Sequence, residues 1–153
     1  RRGWLAEVIV DSSAILAILL EEPQGEACLQ ALIAAPIKRM LAANLLEAAI
    51  VVDRLPEQRY AAVFDGMVAD LEIIIEPVTA QQARIGREAR RRYRRGSRHR
   101  AHLNFGDCFA YALAKTHDEP LLFVGDDFVH TDLRSALSPV DPSAMNSMVP
   151  APT

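Results

Sequence analysis

Cysteine is almost absent from this chain of 153 residues. Cys28 and Cys108 stand 80 positions apart with no CxxC pair, which excludes a disulfide framework and a metal knuckle and fits a reducing compartment. Long apolar runs are missing too. The longest, Ala14 to Leu20, has seven residues, against the roughly 20 that a bilayer-spanning helix needs, so a soluble chain is expected. The charged start Arg1-Arg2-Gly3-Trp4 is not followed by an apolar stretch with a small-residue cleavage site. No secretory signal is read, and a cytoplasmic location is expected. No internal repeat is present.

What the chain does contain is enough apolar material for one core. Half the residues are apolar and 24% are charged, which excludes a largely disordered chain. The net charge of −3 hides a division. Nine arginines and one glutamate lie between Arg84 and Arg100, a local +8 that leaves −11 on the rest. One surface is therefore suited to polyanions, and the surplus carboxylates need a place of their own.

Strand and helix patterns alternate. Val8-Ile9-Val10 reads as a buried strand ending at Asp11, and Ser12-Ser13 opens an apolar helix through Leu20. Helices are expected over Gln24–Ala35, Asn44–Val52, Glu57–Asp70, from Thr79 to near Gly96, and from Asn104 to Thr116. Further strands are expected at Arg39–Ala42, Leu71–Ile75 and Leu121–Val124, with a short helical turn over Val129–Leu137. The segment from Ser138 holds four of the nine prolines and reads as a disordered tail, and residues 1–7 as a lead-in. The implied fold class is α/β, a single domain over residues 8–137 with a central parallel sheet flanked by helices on both faces. Right-handed crossovers place every strand-to-helix loop on the carboxyl edge of that sheet.

The acids fall where that edge is expected. Asp11 follows the first strand, and Asp126-Asp127 follow the last across Gly125. Asn104-Phe105-Gly106-Asp107 and Asn44-Leu45-Leu46-Glu47 each put an acid three residues after a helix-capping asparagine. Singly, Asp107 and Glu47 read as members of capping boxes, and Asp126-Asp127 as an acidic turn. Together they would repel one another unless a proton or a cation intervened. Oxygen ligands suit magnesium or manganese, and no His or Cys cluster competes for a softer metal. Carboxylates with a divalent ion, beside arginines for a polyanion, point to metal-assisted phosphodiester hydrolysis.

Four pieces in this order resemble the PIN domain, specifically VapC-type toxins of bacterial toxin–antitoxin pairs. They are Val8–Ala14, Asn44–Glu47, Asn104–Ala114, and Gly125–Phe128 with Thr131-Asp132. The resemblance implies a magnesium-dependent ribonuclease, with manganese able to substitute, held silent by a VapB-type antitoxin. It implies Asp11 and Asp107 as principal metal ligands, Glu47 completing the acidic cluster, and Ser13 as a supporting hydroxyl. The fourth acid is Asp126 or Asp127, with Asp127 preferred. A helical homodimer and an RNA substrate, transfer RNA or another structured RNA, are part of the same implication.

Arg84, Arg87, Arg91, Arg94 and Arg98 recur at helical spacing, and of these Arg87, Arg91, Arg94 and Arg98 are the candidate RNA-phosphate contacts. The plain alternative is a solvated basic face. His99 and His102 read as surface residues, Cys108 and Tyr111 as packing residues. A receiver-like signalling domain would need a lysine after a late strand, and the only lysines are Lys38 and Lys115. A haloacid-dehalogenase-type phosphatase would need a second acid where Asp11-Ser12-Ser13 has serine. A PIN-like module that binds RNA without cutting it is the remaining alternative.

Overall fold

Val8 and Val10 pack into one core and Ile9 into another, because successive strand residues point to opposite sides of a sheet. Strand β1 (Glu7–Val10) thus sits between two helical layers. The computed structural model describes residues 7–94 and 101–137. Along the chain β1 is followed by α1 (Ser12–Leu19), α2 (Gly25–Ala34), β2 (Ile37–Leu41), α3 (Ala42–Asp53) and α4 (Arg59–Asp70). Then come β3 (Ile74–Glu76), α5 (Ala80–Arg92), α6 (Phe105–His117) and β4 (Leu121–Leu122). The sheet has four parallel strands in the order β3-β2-β1-β4, as the alternating pattern requires.

Helices α1 to α4 contribute Ile15, Leu32, Ala48, Val52 and Phe64 to the core shared with Val8 and Val10. Helices α5 and α6 contribute Ala89, Ala110, Tyr111 and Leu113 to the core shared with Ile9 and Leu41. Each large apolar side chain fully withdrawn from water stabilises the fold by about 1.5–3 kcal/mol. The chain steps one way from β1 to β3 and then returns across β1 to β4. Right-handed crossovers put the helices of the return on the opposite face. The reversal lies between β1 and β4, so a crevice opens at their carboxyl ends.

Three expectations are corrected. Helix α3 starts at Ala42 rather than Asn44, because extended Leu41 (φ −70, ψ 144) is its N-cap and Ala42-Ala43 are strong helix formers. Strand β3 starts at Ile74 rather than Leu71, since Leu71 caps α4 and Glu72 takes a left-handed conformation (φ 54). The Val129–Leu137 segment is not helical. Thr131 Oγ1 donates to the Phe128 carbonyl at 2.7 Å and accepts from Leu133 N at 3.3 Å, bonds that compete with a helix. The chain then runs beside β4, with Leu121 N on the Arg134 carbonyl and Ala136 N on the Leu121 carbonyl. Of the lead-in expected over residues 1–7, Glu7 instead opens β1, and the rest, like the tail from Ser138, lies outside the described residues. Among the described residues no helix is long and apolar enough to cross a membrane.

Candidate metal centre

The crevice is built by backbone ends. Asp11 leaves β1 in extended conformation and caps α1, so its carboxylate turns back toward the helix start. Its Oδ2 accepts from Ser13 N at 3.1 Å and from the Ser13 hydroxyl at 2.6 Å. That hydroxyl accepts in turn from Val124 N at 3.0 Å, just past β4. Ser13 therefore links Asp11 to the end of the neighbouring strand. Asp11 is 3% exposed, and its Oδ1 is buried without a hydrogen-bond partner.

Asp107 enters from α6. Asn104 Oδ1 accepts from Asp107 N at 2.9 Å, and Asp107 Oδ2 accepts from Asn104 N at 3.0 Å, a complete capping box. The capping reading of Asp107 is thus realised. Asp107 also stands within hydrogen-bonding reach of Asp127, which the left-handed turn at Gly125 (φ +100) brings back toward the crevice. Asp126 instead lines a separate groove with Gln24, Phe123 and Val129.

Glu47 arrives from α3 by a route that its sequence pattern did not show. Since α3 begins two residues early, Asn44 is inside the helix and caps nothing. Its side-chain amide, fully buried, donates to the Gly106 carbonyl at 3.0 Å. Glu47, nearly one turn further along, lies against the same glycine, where a β-carbon would overlap its carboxylate. Its Oε1 accepts from the Ser12 hydroxyl at 2.5 Å. Ser12, Asn44 and Gly106 are the positioning residues that sequence reasoning missed. The Asp-Ser-Ser run signals hydroxyls beside the acid, but which one turns toward Glu47 depends on the phase of α1.

The electrostatics follow from this crowding. Burial pushes the Asp11 carboxyl up to about 6, with Glu47 adding to the rise and the Ser13 bonds opposing it. Burial also raises Asp107, helped by Asp127 and Asp11 and opposed by the Asn104 amide. Like charges this close favour a shared proton or a cation. Asp11 stands near Glu47 and Asp107 near Asp127, and among the described residues no three His, Cys, Asp or Glu side chains form a group that could hold an ion. The donor chemistry nevertheless fits a hard divalent ion, since buried Asp11 and Asp107 offer carboxylate oxygens and, among the described residues, Asp11 Oδ1 has no hydrogen-bond partner.

Beside the crevice, a groove of about 780 Å³ runs between α5 and α6. Arg87, Arg91 and Arg94 line it together with Arg90. Arg84 lies on the other side of α5 with Tyr111 and Lys115, and Arg98 is outside the described residues. Tyr111 is buried and donates to Asp132 Oδ1 at 2.7 Å, while Lys115 Nζ reaches Asp132 Oδ2 at 2.9 Å. Burial alone would raise Asp132, but these two bonds hold its carboxyl below the usual range. His102 is exposed, as expected.

A PIN domain profile matches residues 8–133. The chain belongs to the PIN domain family. Within it the chain falls among the VapC ribonucleases. It is 45% identical over 130 residues to ribonuclease VapC28 of Mycobacterium tuberculosis, covering 85% of this chain and 98% of that one. The fold is shared with Mycobacterium tuberculosis VapC20, described as a toxin that cleaves the sarcin-ricin loop. That match has a TM-score of 0.68 at 16% identity and covers 86% of this chain and 99% of the other. VapBC2 of Rickettsia felis, solved on a promoter DNA fragment, matches with a TM-score of 0.64 at 12% identity, covering 84% and 96%.

Proposed function

We propose that this PIN-domain ribonuclease is the toxin of a toxin–antitoxin pair and hydrolyses RNA phosphodiester bonds at the acidic crevice with Mg2+, for which Mn2+ substitutes. One observation carries the reading. Asp11 and Asp107, 96 positions apart in sequence, are both buried, the charge of Asp11 helps raise the Asp107 carboxyl, and among the described residues Asp11 Oδ1 has no hydrogen-bond partner. Asp11 and Asp107 would hold the cation, with Glu47 and Asp127 completing the negative field. When bound, such an ion makes a coordinated water nucleophilic near neutral pH and offsets charge on the phosphoryl oxygens.

The protein's own contribution is placement. Ser13 and Asn104 fix Asp11 and Asp107 through charge-assisted hydrogen bonds, which leaves the other oxygens for the crevice. Asn44 and Gly106 hold α3 against α6 so that Glu47 stays at the rim. Arg87, Arg91 and Arg94 supply phosphate contacts along the strand without reading its sequence. In-line attack by water leaves a 5′-phosphate and a 3′-hydroxyl. The VapBC complexes that share the fold support a VapB-type antitoxin as partner, and a homodimer is supported by apolar Leu46 (60% exposed) and Ile50 (42%) on α3. The proposed compartment is the cytoplasm, with transfer RNA or another structured RNA as substrate.

The test is expression of the wild type, Asp11→Asn and Asp107→Asn without an antitoxin, followed by mapping of cellular RNA ends. Discrete cuts bearing 5′-phosphates only in the wild type are expected, with at least about a 100-fold loss in each variant. Cyclic 2′,3′-phosphate ends, or equal cleavage by both variants, would overturn the assignment. Folded wild-type protein that binds RNA but makes no cuts would favour a non-cleaving module.

A further inference from the structure

The arginine groove has a feature that phosphate binding does not use. Phe105, the first residue of α6, is 80% exposed although it is one of only five phenylalanines. Its ring stands nearly perpendicular to that of Phe109 (88°), with centroids 4.9 Å apart, and both rings line the groove. Among the described residues no acidic side chain lines this groove, and four arginines do. Arg91 does reach Glu88 at 3.4 Å, but both side chains are mostly in solvent, where such a pair is weak. The groove also meets the acidic crevice directly. Asn104 lines it, and the Asn104 backbone amide is bonded to Asp107.

An exposed aromatic among arginines offers what a nucleotide needs beyond charge. The cations meet the phosphates, and the ring meets the flat face of a base. Only an unpaired nucleotide has that face free, because in a duplex the bases stack on one another. The geometry points to Phe105 as a stacking platform that positions one unpaired base two residues from Asp107. This inference rests on the ribonuclease reading above and adds the residue that positions the base. Stacking tolerates any base, so Phe105 acts as a positioning residue rather than a reader of sequence. An acidic protein segment is the competing occupant, and the test below separates the two.

The test measures binding rather than cleavage. The full-length chain is titrated, in EDTA and low salt, with a single-stranded RNA of about ten nucleotides carrying one 2-aminopurine, and with a blunt RNA duplex of the same length. Wild type is expected to prefer the single strand and to quench the 2-aminopurine. Phe105→Ala should weaken single-strand binding by about tenfold and abolish the quenching, while leaving the duplex affinity unchanged. Phe105→Trp should restore both. Thermal melts of the three proteins should coincide, since the ring is outside the core. Equal single-strand affinity for wild type and Phe105→Ala, or a wild type that favours the duplex, would overturn the inference and leave the groove to a protein partner. Cleavage by wild type together with either result would keep the ribonuclease reading intact. Phe105-dependent binding without cleavage in Mg2+ would sink the ribonuclease reading alone.

Discussion

Helices α5 and α6 open with the same device and put it to different use. At α5, Thr79 Oγ1 accepts from Gln82 N at 3.1 Å and Gln82 Oε1 accepts from Thr79 N at 3.0 Å. At α6, Asn104 and Asp107 make the same two bonds at 2.9 and 3.0 Å. Both third residues are buried, Gln82 at 4% exposure and Asp107 at 6%. The local geometry is equivalent, and charge with its surroundings makes the difference. Gln82 is neutral and ends its role at the cap. Asp107 is an acid set beside Asp11 and Asp127, where the cap holds it in place for another partner. A capping box is therefore neutral evidence about function until the neighbours of its acid are known.

Two substitutions sharpen this contrast. The larger effect is expected at Gly106. Alanine inside a helix is normally favoured over glycine by about 0.5–1 kcal/mol, but here its β-carbon would displace the Glu47 carboxylate. Because that carboxylate is the far end of a flexible side chain, Gly106→Ala should melt near the wild type and cleave RNA about 10 to 100 times more slowly. Unchanged turnover would remove Glu47 from the site. The smaller effect is expected at α5. Thr79→Ala should lose about 1 kcal/mol in a urea denaturation and leave the cleavage rate of folded protein unchanged. A loss of turnover there would show that the two helix starts are not separable.

The sequence made the sheet and its carboxyl edge legible, because short β-branched runs ending in acids alternate with helical patterns. It also placed Asp11, Ser13 and Asp107, whose local motifs coincide with their real surroundings. Asn44 and Glu47 were misassigned locally, since Asn-x-x-Glu has the same spacing at a helix start and within a helix. Ala42-Ala43 extended α3 backward and turned both side chains toward α6. Ser12 was invisible for a related reason, its direction being fixed only when α1 and α3 pack. The end of the chain misled because apolar spacing over Val129–Leu137 resembles a helix. There Thr131 bonds locally and Asp132 is held by Tyr111 and Lys115.

The starts of α1 and α6, helix α3 and the loop after β4 bring together carboxylates that, on this reading, need a counterion. An acid whose folded pKa is raised above its unfolded value binds more protons in the folded state. Stability must then fall as pH rises from the unfolded value of 3.8 through the raised values of Asp11, about 6, and Asp107. For Asp11 alone the loss is about 3 kcal/mol. Denaturation of the metal-free protein from about pH 4 to pH 8, repeated with saturating Mg2+ and with Asp11→Asn, measures it directly. The account predicts a decline with pH in the metal-free wild type, largely cancelled by Mg2+ and reduced in Asp11→Asn. The same pH profile in all three conditions would contradict it.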